Sequence, residues 1–518
     1  MKSKKIYIGI TAVVLTASAT IYSCKKNALN TTNNNVLSLQ NAFNTSDQLV
    51  SAVNAVYAVL HSQNLVAREW FFLHDMRGDD DATGGSQLEV ARAQLLAGNV
   101  SPANPVMNAV WNSLYTLIHR ANTVTDNASR VTDNTAVRDR VVGEAKFLRA
   151  WAYWELVSQW GSVPLYVTTV KTPDGTQPRA TVANVYAQII KDLTDASTAL
   201  PAKSGYTATD IGRVTKYAAF ALMGRAYMQM GDYQSAETAL LKIPAGGADG
   251  YTLTNRYLDN FEEETEFNSE SIFEAVYSDK GDNGFNWDAT GNGTTAAQTT
   301  VRNQEENPIG WRNLIPSNKY LNEFESTATG AAKNDPRLSY SVYRTGDTFN
   351  NGNSVLVDAD QNGNSSVING VTVKAGWRKF QLIYKEDRAT ASFHPGSNNQ
   401  RIIRYAEVLL MLAECENELN KPAAAIGYLN QIRARVSVAM PPYPTPQFLV
   451  NSKNAITAAI MHEKSVELGG EEIRNIDIIR WRKMGYYPSV APEPISYYKA
   501  GAEFLPIPQS EIDNNPNL

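Results

Sequence analysis

Residues 216–244 read KYAAFALMGRAYMQMGDYQSAETALLKIP and carry the clearest fold signal in the chain. Small residues such as Gly224 and Ala236 alternate with large ones such as Tyr227 and Leu240 at helical spacing, on either side of Gly231-Asp232. This is the order of a tetratricopeptide repeat, in which small residues let two antiparallel helices touch and large residues fill the gap between them. The stretch therefore predicts two short helices packed on each other.

A second, degenerate copy of this pattern lies nearer the C-terminus, with Lys421-Pro422 at its turn. Its repeat positions are Leu412, Ala413, Ala425, Leu429 and Ile432. The helices predicted at Val141–Gln159 and Thr181–Leu200 form another pair with a weaker signature. Two copies so far apart indicate a mainly α-helical scaffold of tetratricopeptide-like helical pairs, interrupted by a long insertion.

The composition of the sequence changes between about residue 246 and residue 399: Gly, Asn, Asp and Thr become abundant, and helical periodicity weakens. We expect a loop-rich insertion there with a few short strands, at Ser271–Tyr277, Val355–Val357 and Val367–Val373. Outside it, apolar residues at spacings of three and four predict amphipathic helices at Ser46–His61, Ala109–Val124 and Lys453–Leu468.

The N-terminus has the order of a secretory leader, with three lysines before an apolar run from Ile6 to Ile21. Ile21-Tyr22-Ser23-Cys24 then resembles a bacterial lipobox, in which the cysteine is lipidated and becomes the new N-terminus. The apolar run is too short and too rich in threonine for a membrane span. We expect residues 1–23 to be a signal peptide, Cys24 to carry the lipid, residues 24–35 to be a flexible polar tether, and residues 36–518 to form a single helical domain.

Composition and motifs exclude several classes of function. Without the leader the chain carries a net charge of about −8, which does not favour nucleic acid as a partner. Cys24 and Cys415 are its only cysteines, so there is no disulfide framework, and Cys415 lies on an apolar helical stripe typical of a buried thiol. The five histidines lack metal-ligand spacing, and Walker, dinucleotide-binding and nucleophile-elbow motifs are absent. We therefore expect no cofactor, no metal and no catalytic residues.

One segment imitates a calcium loop. Asp358–Asn364 begins with the correct alternation of oxygen ligands, but the twelfth position is Asn369 instead of a bidentate glutamate. Strand-like runs, and not helices, flank the segment. A hairpin turn is the favoured interpretation.

A second pattern imitates a catalytic carboxylate pair. Glu463 and Glu467 lie one helical turn apart, as two acids of a glycosidase could. Because Arg474, Arg480 and Arg482 follow closely in the sequence, we interpret the two glutamates as members of a structural ion-pair network.

A sugar-binding surface needs aromatic faces for pyranose rings and planar polar side chains for vicinal hydroxyls, on loops held by a rigid scaffold. Arg77 and Asp80, in the run RGDDD at 77–81 between two predicted helices, are polar candidates. Any one aromatic can instead be a core residue, although Trp287 has no apolar periodic neighbours, which favours its exposure. The aromatic candidates in the insertion are Phe285, Trp287, Trp311, Tyr320 and Trp377.

Several stretches match a known family in the expected order and span nearly the whole chain. They are Trp111–Tyr115 with Ala121-Asn122, EAKFLRAWAYWELVSQWGSVPL at 144–165, RVTKYAAFALMGRAYMQMGDYQSAETA at 213–239, NDPRL at 334–338, IRYAEVLLMLAECENEL at 403–419, Tyr428–Arg435 and FLPIPQSEIDNNPNL at 504–518. With these stretches the chain resembles the SusD/RagB outer-membrane nutrient-binding lipoproteins of Bacteroidota. It departs from the family at Lys464 and Ser465, where arginine is usual, and at Glu472-Ile473.

The resemblance implies a single α-helical domain whose middle loops form the ligand face. Members of that family are not enzymes; they bind oligosaccharides, or peptides in the RagB branch, and pass them to a SusC-like TonB-dependent outer-membrane transporter. Our hypothesis is that this chain, anchored by lipid on the outer membrane and facing the exterior, binds oligosaccharides without cleaving them. The alternatives are peptide binding, a surface glycoside hydrolase or peptidase, and a scaffold that binds no small ligand.

Overall fold

Helices dominate the residues that the computed structural model describes, which are 42–85, 88–172, 175–278, 298–326, 334–391 and 395–518. In chain order the helices are α1 (Ser46–Tyr57), α2 (Glu69–Asp75), α3 (Val90–Leu96), α4 (Pro105–Asn127), α5 (Thr135–Trp160), α6 (Val182–Ala199), α7 (Lys216–Met230), α8 (Tyr233–Leu240), α9 (Arg302–Glu306), α10 (Asn318–Glu323), α11 (Arg337–Ser341), α12 (Arg388–Ala391), α13 (Tyr405–Glu418), α14 (Pro422–Arg433), α15 (Lys453–Leu468), α16 (Arg474–Lys483), α17 (Tyr486–Ser489) and α18 (Gln509–Asn514).

The predicted repeat folds as α7 and α8, and glycine explains how closely the two helices approach. A Cβ on Gly224 would lie 2.4 Å from Cδ2 of Leu240, so a larger residue would push α8 away. Gly231 ends α7 in the left-handed conformation, with φ of 81°. The Asp232 side chain then accepts a hydrogen bond from the Ser235 N–H at 3.0 Å and caps α8. The first repeat prediction is confirmed.

The helices pack in one continuous stack. Each member from α4 to α8 packs against the next, α8 packs against α13, and α13 packs against both α14 and α15. The second predicted copy is the pair α13 and α14, and Cys415 on α13 is fully buried. The chain leaves the stack after α8 and returns at α13, so the prediction of a mainly α-helical, tetratricopeptide-like scaffold with an insertion is confirmed.

The strands are short, and all but β1 and β10 lie in the insertion. They are β1 (Asp81–Ala82), β2 (Ser271–Ala275), β3 (Ile315–Pro316), β4 (Val342–Arg344), β5 (Thr348–Phe349), β6 (Ser354–Val355), β7 (Ser366–Ile368), β8 (Val371–Val373), β9 (Ala375–Trp377) and β10 (Gln400–Arg404). They form antiparallel pairs: β1 with β3, β2 with β10, β4 with β9, β5 with β6, and β7 with β8.

The segment that imitates a calcium loop is not a hairpin turn, which corrects the prediction. Residues 358–360 form a short 3-10 helix between β6 and β7. Those strands pair with β5 and β8, so the segment connects two hairpins and closes neither. The turn of the next hairpin is Asn369-Gly370, where both residues have positive φ, 49° and 80°.

Buried ion pairs join the insertion to the stack through α15. Glu463 and Glu467, both fully buried, bind the guanidinium group of Arg337 in the insertion and those of arginines at the end of β10 and at or just after the end of α14. Arg337 lies 2.8 Å from Glu463 and 3.4 Å from Glu467. The other partners are Arg433 for Glu463, and Arg404 and Arg435 for Glu467, at 2.6–2.9 Å.

The two glutamates are therefore structural, as the sequence indicated, but their arginines are not the three that follow them in the chain. Arg480 pairs with Glu414 and Asp477, at 2.7 Å each, and Arg474 pairs with Asp79 at 2.6 Å. Separately, no helix in the described part of the chain is long and apolar enough to cross a membrane.

Candidate functional site

Trp311 is the exposed tryptophan of the described structure. Of the nine tryptophans in the chain, Trp287 lies outside the described residues and seven are at most 4% exposed, whereas Trp311 is 39% exposed. A tryptophan offers a large apolar face, so an indole that remains in solvent is available for a ligand to cover. This exposure makes Trp311 the starting point for the site.

Three separate segments of backbone hold Trp311 in place. Its own N–H donates to the carbonyl of Gln304, in the middle of α9, at 2.9 Å. The Gly84 N–H donates to the carbonyl of Arg312 at 3.0 Å, and the Asn364 N–H donates to the carbonyl of Gly84 at 2.6 Å. The loop after β1, the segment before β3 and the loop before β7 thus meet at the backbone of Trp311 and Arg312.

The neighbouring Arg312 stabilises this junction through hydrogen bonds from its side chain. Its buried guanidinium donates to the carbonyl of Ala375 at 2.7 Å, to that of Asn364 at 3.3 Å, and to that of Asn362. Burial lowers the pKa of Arg312 to about 10, so the side chain stays charged at neutral pH. Because the carbonyls come from two segments, moving the Trp311 backbone would break contacts in both.

Glycines make the close approach of these loops possible. A Cβ on Gly363 would lie 1.7 Å from the carbonyl oxygen of Gly84, and Gly363 has φ of 75°. A Cβ on Gly84 would lie 2.6 Å from Cγ2 of Ile315. Side chains at these positions would separate the loops and tilt the indole, so the floor of the site tolerates glycine alone.

Polar side chains lie on the segments that meet at the Trp311-Arg312 backbone. Asn362, Asn364 and Ser365 are exposed on the loop before β7. On another side, the Asn313 amide donates to Glu305 at 2.6 Å, and Glu305 in turn accepts from the Arg68 Nε–H at 2.6 Å. We call the set Gly84, Gly85, Trp311, Asn313 and Asn362–Asn364 the Trp311 surface. An exposed ring beside amides matches what a pyranose presents, an apolar face and vicinal hydroxyls.

Tyr320 does not belong to this surface, which corrects the sequence prediction. Its side chain is fully buried, and its ring centroid lies 5.1 Å from those of Phe324 and of the equally buried Trp377. A Cβ on Gly469 would lie 2.1 Å from the Tyr320 ring, so α15 covers the ring closely. Tyr320 and Trp377 join the insertion to the scaffold and cannot stack on a ligand from solvent.

Asp80 is also turned inward, together with its acidic neighbours. It accepts from the Ser465 hydroxyl at 3.2 Å, and burial raises its pKa although Arg474 lies 3.8 Å away. Asp79 accepts from Arg474 at 2.6 Å. Asp81 accepts from the Trp377 indole N–H at 2.6 Å. The acidic run therefore anchors the loop and leaves no carboxylate for a ligand.

The remaining candidates are divided. Arg77 lies in the wall of a different cavity, near the C-terminal segment, and is not part of the Trp311 surface. Phe285 and Trp287 lie outside the described residues, so their role in ligand binding stays a prediction, and so does lipidation of Cys24. Sequence reasoning missed the glycines and Arg312, for which Gly84-Gly85 and the run QNGN at 361–364 were the available signals.

Comparisons with known proteins agree with this architecture. The model of the SusD family matches residues 269–518, and a model described as starch-binding associating with outer membrane matches residues 23–228. The chain is 26% identical to SusD-like protein P25 of Formosa agariphila over 81% of this chain and 79% of that one.

Solved structures show the same fold. A SusD-like carbohydrate-binding protein of Bacteroides fragilis is 21% identical, with a TM-score of 0.74, over 92% of this chain and 99% of that chain. Surface glycan-binding protein A of Bacteroides thetaiotaomicron, solved with laminarihexaose, is 22% identical, with a TM-score of 0.69, over 91% and 98%. The chain belongs to the SusD/RagB family. This SusD/RagB protein therefore has the family and the fold that the sequence resemblance implied.

Proposed function

We propose that this SusD/RagB protein binds oligosaccharides on its Trp311 surface, without cleaving them, and delivers them to a SusC-like TonB-dependent transporter. The observation that carries the proposal is the exposed indole of Trp311, on a backbone segment held by hydrogen bonds to neighbouring segments, one of which carries exposed asparagines. A similar fold, that of surface glycan-binding protein A, was solved with laminarihexaose. Each contact between a ring and a sugar contributes modestly, so chains should bind better than monosaccharides.

The burial and the ion pairing of one carboxylate pair support passive binding over hydrolysis. The carboxylates that imitated a catalytic pair, Glu463 and Glu467, are fully buried and paired with arginines. A glycosidase needs two carboxyl groups that flank the scissile bond and exchange protons with it. Held as ion pairs away from solvent, these glutamates can do neither.

The first experiment measures glycan binding by calorimetry. Laminarihexaose and a panel of other oligosaccharides are titrated into the wild type, Trp311→Ala, Trp311→Phe and Trp287→Ala. For the glycan that binds, Trp311→Ala should weaken affinity roughly 10- to 50-fold, because the stacking face is lost, and Trp311→Phe should weaken it less. Leu449→Ala is the control: Leu449 is 62% exposed and lies outside the Trp311 surface.

The outcomes separate the proposal from its alternatives. Unchanged affinity in Trp311→Ala would remove Trp311 from the ligand face. New reducing ends after incubation with a bound glycan would favour a hydrolase, and binding of a peptide pool without any glycan would favour the RagB-like alternative. Absence of binding to every oligosaccharide and peptide would leave a scaffold as the function.

The anchor and the transporter are tested separately. Cys24→Ser should move the protein from the outer-membrane fraction to the soluble fraction, because stable anchoring relies on acyl chains. Cys415→Ser, at a buried thiol, is the matched control and should stay with the membrane. Affinity purification of the lipidated protein from detergent-solubilised outer membranes should recover a TonB-dependent transporter. Failure to recover any outer-membrane barrel would contradict delivery to such a partner.

A further inference from the structure

A cavity of about 330 Å³, distinct from the Trp311 surface, lies between the loop after α3, one side of α16 and the C-terminal segment. Its lining shares no residue with the Trp311 surface. The apolar part of the wall includes Ile478, Ile479 and Ile495, and the aromatic part includes Tyr497 and Phe504. The volume lies at the lower end of the range for small-molecule sites, which suits one sugar ring or a dipeptide.

The cavity wall contains an arginine whose partners are uncharged. The Arg77 guanidinium donates to the side-chain oxygen of Gln159 and to the backbone carbonyl of Glu503, the latter at 2.7 Å. An arginine has five N–H groups. Two of them have these partners, and no carboxylate in the described residues forms an ion pair with Arg77. Most buried arginines of this chain, such as Arg404 and Arg433, are paired with glutamates, so Arg77 departs from the pattern.

A buried polar network keeps Arg77 in place. Gln159, which accepts from Arg77, also accepts from the Asn475 amide at 3.3 Å. The ring of His74 lies between Asn475, at 3.1 Å, and the Glu155 carboxylate, at 2.8 Å. The guanidinium is thus preorganised by neutral amides, at little cost in side-chain entropy when a ligand arrives.

The acidic groups near the cavity are already engaged. Glu503 accepts from the Tyr498 hydroxyl at 2.5 Å, and Glu493 holds Arg482 with contacts of 2.6 and 3.0 Å. Burial, together with the neighbouring Arg482, lowers the pKa of Arg77 to about 10, which still leaves it charged at neutral pH. Arg77 is half-buried and has no carboxylate partner among the described residues, so an anion that enters the cavity would gain a charge-assisted contact with its guanidinium.

Neighbouring backbone holds the two aromatic rings of the cavity wall in place. A Cβ on Gly98 would lie 2.0 Å from the Tyr497 ring, and Gly98 has φ of 66°, so the loop after α3 packs directly on that ring. Phe504 lies beside Gly161, where a Cβ would be 3.3 Å from its ring. A ligand with an apolar face could lie against these rings while its charged group reaches Arg77.

We propose that this cavity binds a carboxylate group carried on a small body with an apolar face, the guanidinium of Arg77 pairing with the carboxylate. A uronic acid residue and a short peptide with a free C-terminus both have this chemistry. Arginine suits the role because its planar donors match a carboxylate in a bidentate arrangement. This site is separate from the Trp311 surface, and the proposal does not depend on glycan binding there.

The experiment titrates sodium glucuronate, glucose, and N-acetyl-Gly-Phe with a free or an amidated C-terminus into the whole protein at low salt, followed by NMR. Glucuronate or the free-acid peptide should bind, and glucose and the amidated peptide should not. Arg77→Gln should abolish binding. Because that variant removes buried hydrogen bonds, its melting temperature is measured alongside.

A surface variant keeps the test independent of folding. Asn99 is an exposed lining residue, so Asn99→Asp places a negative charge at the cavity and should weaken anion binding roughly fivefold. Asn112→Asp makes the same charge change at an exposed position of α4 outside the cavity and should leave binding unchanged. Trp311→Ala should also leave anion binding unchanged, which distinguishes this cavity from the Trp311 surface.

Four results would overturn the proposal. Two concern the ligands: glucose binds as well as glucuronate while the amidated peptide binds as well as the free acid, or neither acid binds. Two concern the variants: Asn99→Asp leaves binding unchanged, or Trp311→Ala abolishes it. Binding of the free-acid peptide alone, or of glucuronate alone, supports the site and identifies its source of carboxylate.

Discussion

The helical stack and the insertion of this protein differ in the balance of apolar packing and polar contacts that stabilises them. In the stack, α5 buries Trp151 and Trp154 almost completely, and Gly224 lets α7 touch α8. In the insertion, buried charges and backbone contacts do this work: Arg337 binds glutamates of α15, and Arg312 binds carbonyls of two loops. Buried ion pairs also occur in the stack, such as Arg149 with Asp192 at 2.7 Å, but its apolar stripes are periodic in the sequence. The insertion relies more on polar partners that lie far apart in the chain.

The largest expected effect comes from removing one shared acid between the two regions. Glu467→Gln should lower the free energy of unfolding by about 3–5 kcal/mol, because Arg337, Arg404 and Arg435 would lose a buried counter-charge. Burial alone would raise the pKa of Glu467, yet these arginines hold it below the usual range. Urea denaturation at neutral pH measures the change.

The control for that variant is Glu264→Gln, in the exposed ion pair with Lys385 at 2.7 Å. Its cost should stay below about 1 kcal/mol, since exposed pairs contribute little. Equal effects of the two variants would contradict the view that buried charges hold the insertion.

The next effect is a loss of stability at alkaline pH. Although burial opposes it, hydrogen bonds from His462 to Glu323 and Glu325 raise the pKa of His462 to about 9. A raised histidine pKa stabilises the folded state fully below the unfolded value near 6.5, and this contribution disappears as the pH rises through 9. The stability difference between wild type and His462→Gln should therefore shrink by on the order of 3 kcal/mol between pH 6.5 and 9.

His119→Gln provides the matched control, at an exposed position on α4. Denaturation curves at four pH values across that window measure both differences. A difference for His462→Gln that does not change with pH would contradict a charged His462 in the folded protein.

A smaller effect distinguishes the two regions through their glycines. Gly224→Ala should cost about 1–3 kcal/mol by overpacking α7 on α8, with glycan binding retained. Gly363→Ala should instead weaken glycan binding, because its Cβ would meet the Gly84 carbonyl beneath Trp311. Melting temperature and calorimetry are measured for both.

Gly370→Ala separates the steric clash from backbone strain. It has φ of 80° like Gly363 at 75°, but a Cβ there would meet no other atom within 4 Å. Loss of glycan binding in Gly370→Ala equal to that in Gly363→Ala would mean that strain in the insertion, and not the junction under Trp311, controls the site.

The sequence predicted the stack well because helical periodicity is local. Helix α15 has the predicted bounds, Lys453–Leu468. Helix α5 starts at Thr135, six residues before the predicted start, because Asn134 accepts a hydrogen bond from the Val137 N–H at 3.1 Å and caps a polar first turn. A capping residue of this kind lets a helix begin before the apolar stripe from which it was predicted.

The site was predicted less well, because exposure of a single aromatic is not a periodic property. Trp311 and Tyr320 lie nine residues apart in similar sequence surroundings, yet one is 39% exposed and the other fully buried. What separates them is tertiary: Gly469, directly after α15, packs against the ring of Tyr320, whereas the ring of Trp311 stays partly in solvent. Similarly, the partners of Glu463 and Glu467 come from residues 30 to 130 positions away, and not from the nearest arginines.

The measurement that most directly tests the division between a rigid stack and a ligand-binding insertion is hydrogen–deuterium exchange with and without a bound glycan. The account predicts slower exchange at residues 83–85, 311–313 and 362–366, with α7 and α8 unchanged. Protection confined to the helical stack, or to the C-terminal cavity at 495–506, would contradict it.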